Sequence, residues 1–108
     1  MDTEPKHISL GDVCFLDENT QELVKDLNPI PLSTIQYRLL HYLALHLKGA
    51  VTGDELITYA WGEGAYISRD ILYSEINILR KYLESDPKNP EILISLRGLG
   101  YMLFPRKK

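Results

Sequence analysis

Leu72, Ile76, Leu79 and Leu83 recur at helical spacing, and because a helix turns about 100° per residue they share one narrow stripe that must face a core. The opposite face then carries Asp70, Ser74, Asn77, Ile78 and Lys81, flanked by Tyr73 and Glu84. The side chains on that face suit one kind of chemistry. A carboxamide at Asn77 can pair with adenine through two hydrogen bonds, a hydroxyl at Ser74 can bond a base or a phosphate, and Lys81 suits phosphate or guanine. Arg69, in the first turn, could reach a phosphate at the helix entrance. Taken on periodicity alone, an ordinary solvated helix face is the more economical account of the same residues.

Other chemistries find less support. The chain has three histidines, and His41 and His46 stand five residues apart, pointing about 140° away from each other on a helix, so they cannot form a helical metal pair. The single cysteine, Cys14, cannot form an intrachain disulfide or a cysteine cage, and its place in an apolar strand reads as a small buried hydrophobe. Nothing resembles a glycine-rich phosphate loop, a nucleophile elbow or a zinc-protease helix. A protein without catalytic chemistry, metal, cofactor or small-molecule substrate is expected.

The 108 residues suit one domain, about 44% hydrophobic and 25% charged. Residues about 7–32 read as four short strands, HISL, DVCFL, QELVKDL and PIPL, with turns at Gly11-Asp12, Asp17-Glu18-Asn19 and Asn28-Pro29. Ser33 and Gln36 make a capping box for a helix over about 34–48, stopped by Gly49; Thr52 and Glu55 make another for a helix over about 53–60, closed by Trp61-Gly62. Ser68 caps a third helix over about 69–85, ended by Asp86-Pro87. EILISLRGLGYMLF, about 91–104, reads as a hairpin turning at Gly98 and Gly100. Trp61 and the scattered tyrosines Tyr37, Tyr42, Tyr59, Tyr66, Tyr82 and Tyr101 are assigned to core and core-edge packing.

Charge is unevenly placed. The formal net charge is −3, which on its face opposes nucleic acid, yet residues 1–31 hold seven acids against two bases, while Lys88, Arg97, Arg106, Lys107 and Lys108 face Glu91 alone in 88–108. The C-terminal end is expected to form a basic patch. No apolar run approaches the length of a membrane span, and the start, with Asp2, Glu4 and Lys6, is unlike a signal peptide, so a cytoplasmic location is expected.

LSTIQYRLLHYL, GDELITYAWG, INILRKYL (of the form I-x-x-L-R-x-x-L) and LRGLGYML follow one another in an order and spacing that resemble the winged helix-turn-helix effector domain of the OmpR/PhoB superfamily, over nearly the whole chain. ISRDILYSEINILRKYL looks more like the membrane-anchored ToxR/CadC type than like two-component response regulators, an impression that the start at Met1 also supports. The implied fold class is α+β: a small N-terminal antiparallel sheet, three helices and a C-terminal β-hairpin wing. The implied function is sequence-specific binding of double-stranded promoter DNA, with two copies on repeated half-sites.

In that fold the outer face of the third helix enters the major groove, and the resemblance assigns Arg69, Tyr73, Ser74, Asn77, Ile78, Arg80 and Lys81 to the DNA. Arg80, at the helix flank, could contact phosphate or pair internally with a carboxylate. Arg97, at the hairpin tip, could enter the minor groove and sense its negative potential, supported by Arg106, Lys107 and Lys108. The loop from Gly62 to Ile67 would be open to RNA polymerase. The sequence departs from the family at Ile78, where relatives often have arginine, and at Glu75, so the lone domain is expected to bind weakly without dimerisation or a co-regulator. These departures also support a rival: a winged-helix protein-interaction module partnering another regulator. Arg-Lys-Lys at the end could begin a juxtamembrane segment of an inner-membrane protein.

Overall fold

The computed structural model describes residues 6–108, so Asp2 and Glu4 lie outside the described residues. Four strands, β1 (His7–Ser9), β2 (Cys14–Asp17), β3 (Glu22–Lys25) and β4 (Asn28–Pro31), form an antiparallel sheet in chain order. Three helices follow, α1 (Thr34–Leu45), α2 (Gly53–Trp61) and α3 (Arg69–Leu83). A short strand β5 (Ala50–Val51) lies between α1 and α2, and the chain closes with β6 (Leu93–Leu96) and β7 (Gly100–Leu103). The second sheet has the order β5-β7-β6, a three-stranded wing where a two-stranded hairpin was expected.

The helices start where local chemistry says they should. Ser33 Oγ accepts from the Gln36 amide at 3.1 Å while Gln36 Oε1 accepts from the Ser33 amide at 3.0 Å, and Thr52 and Glu55 repeat the box at 3.0 and 3.2 Å. Ser68 caps α3 through the Ile71 amide. Each helix then buries one stripe: Leu39, Leu40, Leu43 and Ala44 of α1, Leu56, Ile57 and Ala60 of α2, and Leu72, Ile76, Leu79 and Leu83 of α3. Leu16, Leu23, Val51, Leu93 and Leu103 close the core from the two sheets. Each of the leucine, isoleucine and valine side chains stabilises the fold by about 1.5–3 kcal/mol when fully buried.

Two boundaries fall elsewhere than expected. Helix α1 stops at Leu45 rather than near Lys48, and the left-handed residue is Lys48 (φ +67°), not Gly49, because the Lys48 amide is taken by the Leu103 carbonyl at 2.8 Å. The β3–β4 turn is Asp26-Leu27, not Asn28-Pro29. Both turn residues have positive φ, +51° and +68°, with Lys25 opposite Asn28, the two-residue turn whose twist matches a hairpin. Such turns prefer asparagine and glycine, so Asp-Leu gave no signal.

Leu27 is 85% exposed, so its side chain contributes little packing to set against the strain of a left-handed backbone, about 1–2 kcal/mol for an L-residue. Leu27→Gly is therefore expected to stabilise the protein and raise Tm by about 3–5 °C in a thermal melt, the relief being partly offset by the greater freedom of glycine in the unfolded chain. A lowered Tm would contradict this account of the turn.

Candidate nucleic-acid interface

Helix α3 presents the expected outer face. Asp70, Ser74 and Lys81 are exposed, Tyr73 is half-exposed, and Glu75, Asn77 and Ile78 are partly covered, while the core stripe occupies the opposite side. Ile71, 49% exposed, adds an apolar residue that the sequence reading did not place there. Glu84 was placed beside this face and is in fact buried. Its carboxylate accepts from the backbone amides of Glu91 (2.8 Å), Ile92 (2.9 Å) and Leu93 (2.7 Å), at the root of the wing.

Arg80 is also buried, 6% exposed, and its partners are not a carboxylate. Its Nε donates to the Leu93 carbonyl at 3.0 Å, Nη2 to Ser95 Oγ at 2.9 Å and Nη1 to Asn77 Oδ1 at 3.3 Å. Two of these bonds run from α3 to β6. The helix and the wing are therefore tied together by the one guanidinium, and Glu84 fastens the same strand one helical turn later.

The wing turns through Arg97, Gly98 and Leu99, closed by the Leu99 amide on the Leu96 carbonyl at 2.9 Å, with Gly98 left-handed at φ +77°. Arg97 and Leu99 are both exposed at the tip. Between this hairpin and the N-termini of α2 and α3 runs a groove of about 490 Å³, lined in part by Thr52, Arg69, Gly98 and Tyr101. Arg69 lies over Gly53 and pairs with Asp54 at 2.8 Å, both side chains well exposed. Such a surface pair stabilises little, leaving the guanidinium available to a stronger anion. Burial pushes the Tyr101 hydroxyl pKa up, so it stays a neutral hydrogen-bonding group in this groove.

The basic C-terminal end is not part of this surface as a unit. Arg106 turns back to the N-terminal sheet, where it holds Asp26 through two hydrogen bonds of 2.8 and 2.9 Å and bonds the Asp12 carbonyl, and Lys108 joins Asp26 at 3.1 Å. These cations hold the Asp26 carboxyl well below the usual carboxylate range. A depressed folded-state pKa means stability that is present above the ordinary aspartate value, about 3.9, and lost as pH falls toward the folded value. Asp26→Asn should lower Tm at neutral pH, with the difference shrinking below about pH 4. A difference independent of pH would contradict this.

Cys14 is buried in β2, and burial pushes its thiol pKa up, which suits packing rather than nucleophilic chemistry. His41 joins Tyr59 Oη at 2.7 Å and Glu18 Oε2 at 3.3 Å, tying the β2–β3 turn to α1 and α2. Tyr66, assigned to packing, is instead fully exposed in the loop between α2 and α3. Among the described residues no cluster of three or more histidine, cysteine, aspartate or glutamate side chains is arranged to hold a metal, and no helix is long and apolar enough to cross a membrane.

A family model described as "Transcriptional regulatory protein, C terminal" matches residues 27–103. The chain belongs to this family. It is an OmpR/PhoB-type winged-helix domain, with the sheet, helix and wing order that those domains share. It is 31% identical over 84 residues to the transcriptional regulatory protein YvrH of Bacillus subtilis, covering 78% of this chain and 35% of that protein. The DNA-binding response regulator MtrA of Mycolicibacterium smegmatis is 28% identical over 104 residues, covering 96% and 45%.

The chain thus spans less than half the length of these curated relatives. Among solved structures, the Klebsiella pneumoniae RstA DNA-binding domain, in complex with the RstA box, superposes with a TM-score of 0.80 at 25% identity, covering 94% of this chain and 99% of that one. The DNA-binding domain of CadC from E. coli gives 0.77 at 20% identity, covering 93% and 94%. The response regulator DrrB of Thermotoga maritima also gives 0.77, at 24% identity, covering 86% of this chain and 42% of that one.

Proposed function

We propose that this winged-helix domain binds double-stranded promoter DNA sequence-specifically, with α3 in the major groove and the wing in the adjacent minor groove. The observation that carries the reading is the continuity of the α3 face with the Arg97 tip through a buried link. Ser74, Asn77 and Lys81 stand on a helix whose other side is fully in the core, beside a hairpin that ends in an exposed arginine. Asn77 and Ser74 are the candidates for base contact, Lys81 and Arg69 for phosphate, and Ile78 and Tyr73 for thymine methyls. Arg80, buried as it is, leaves the contacting set. RNA polymerase is assigned to the loop from Gly62 to Ile67, where Tyr66 is fully exposed.

The parent protein is read as the ToxR/CadC type on the segment from Ile67 to Leu83, and a full reading frame with no hydrophobic span beyond this domain would remove that assignment. The protein-interaction module remains the second reading, favoured by the exposed apolar side chains of Ile71 and Tyr73, which flank the outer face of α3 on its two sides. Binding to promoter fragments of the source genome against scrambled DNA, across a salt series, separates the two. For DNA binding, Arg97→Ala weakens specific binding about 10-fold, and Lys81→Ala weakens all sequences alike and lowers the salt slope by about one. Sequence-independent, salt-insensitive behaviour of the folded protein would support the interaction module instead.

A further inference from the structure

Arginine has five donors and no acceptor, so whatever faces the Arg80 guanidinium must accept. This fixes three groups at once. Asn77 must turn its Oδ1 toward Arg80, which turns its amide donors away from that guanidinium; the Leu93 carbonyl and the Ser95 hydroxyl are held at the same guanidinium from the wing side. The planar fork leaves little freedom to change one bond without the others, because all three nitrogens lie in one rigid plane. Lysine could carry the charge but not the fork.

We propose that Arg80 is a positioning residue for DNA recognition: it presents Asn77 to the major groove as a hydrogen-bond donor and fixes the wing tip at a set distance from α3, so that base reading by the helix and minor-groove reading by Arg97 are coupled. The inference rests on the DNA-binding reading given above. Its consequence for sequence preference is that the base opposite Asn77 offers an acceptor on its major-groove edge, as guanine N7 and O6, adenine N7 or thymine O4 do.

The test is a double-substitution cycle on a duplex selected by the wild-type domain from a randomised pool. Arg97→Ala is expected to weaken binding about 10-fold in the wild-type background. In the Arg80→Lys background, where the guanidinium fork no longer links Ser95 and Leu93 to α3, it should weaken binding less than about 3-fold, the mark of two residues acting as one unit. A pool selected by Arg80→Lys should also lose its preference at the base opposite Asn77 together with that at the wing.

Ser95→Ala, which removes a single bond at an exposed residue, serves if Arg80→Lys does not fold, and should shrink the Arg97 effect in the same direction. Equal Arg97 effects in all backgrounds, with the selected motif unchanged, would overturn the proposal while leaving DNA recognition standing. Failure of the wild-type domain to select any motif would remove both.

Discussion

Glu84→Ala is expected to destabilise the domain by about 3–5 kcal/mol, measured by urea unfolding, and to expose the root of the wing to solvent first. The reason is the number of donors that one carboxylate serves. It accepts from three consecutive backbone amides, those of Glu91, Ile92 and Leu93, and both it and the last two residues are buried. With the carboxylate gone, these amides lose their acceptor at a site with little water, and each buried unsatisfied donor costs about 1–3 kcal/mol. Glu84→Gln retains one acceptor oxygen and should recover about half the loss. Hydrogen exchange of the Ile92 and Leu93 amides should accelerate before that of α1. A loss below about 1 kcal/mol would mean that the chain from Glu91 to Leu93 finds other partners.

Gly100→Ala is expected to cost about as much for a different reason. Gly100 opens β7 at φ +135°, a backbone that L-residues rarely adopt, and an added Cβ would collide with the Val51 carbonyl oxygen and lie 2.8 Å from Thr52 Cα. Neither neighbour is a flexible side-chain end, so β5 must separate from β7, giving up the Ala50–Met102 and Val51–Tyr101 pairs. Backbone strain and overpacking together amount to about 3–5 kcal/mol. Gly98→Ala provides the control. Gly98 also has positive φ, but its Cβ would meet nothing within 4 Å, so about 1 kcal/mol is expected. Equal effects at the two positions would contradict the close approach of β5 to β7.

What the sequence revealed and what it hid divide by the reach of the interactions involved. Capping boxes at Ser33 and Thr52 are complete within four residues, and the stripe Leu72, Ile76, Leu79 and Leu83 declares its face by period alone, so helix starts and core faces were legible. The ends were less so, because the stop of α1 depends on Leu103, far along the chain. Asp26 looked like one more acid on an acidic sheet, although its partners Arg106 and Lys108 stand 80 and 82 residues away; the same contact removes Arg106 from the basic surface.

Glu84 was hidden in the same way, and for Arg80 an internal role was open but its partners were not legible. Both sit at the flank of α3, where charge usually means solvent, and only the fold brings the backbone of β6 against them. The arginine in INILRKYL was a signal of sorts, since an I-x-x-L-R pattern sets it next to the core stripe. Two-residue β5 has no periodicity to read, yet its pairing with β7 makes the wing a sheet.

The central claim is that α3 and the wing meet DNA as one surface. A titration of the isotopically labelled domain with a duplex chosen by pool selection, followed residue by residue by NMR, tests it most directly. The expected result is perturbation concentrated at Ser74, Asn77 and Lys81 of α3 and at Arg97 to Leu99 of the wing, saturating together and weakening with salt. Perturbation confined to the four-stranded sheet or to the loop from Gly62 to Ile67, with α3 and the wing tip unmoved, would contradict the claim.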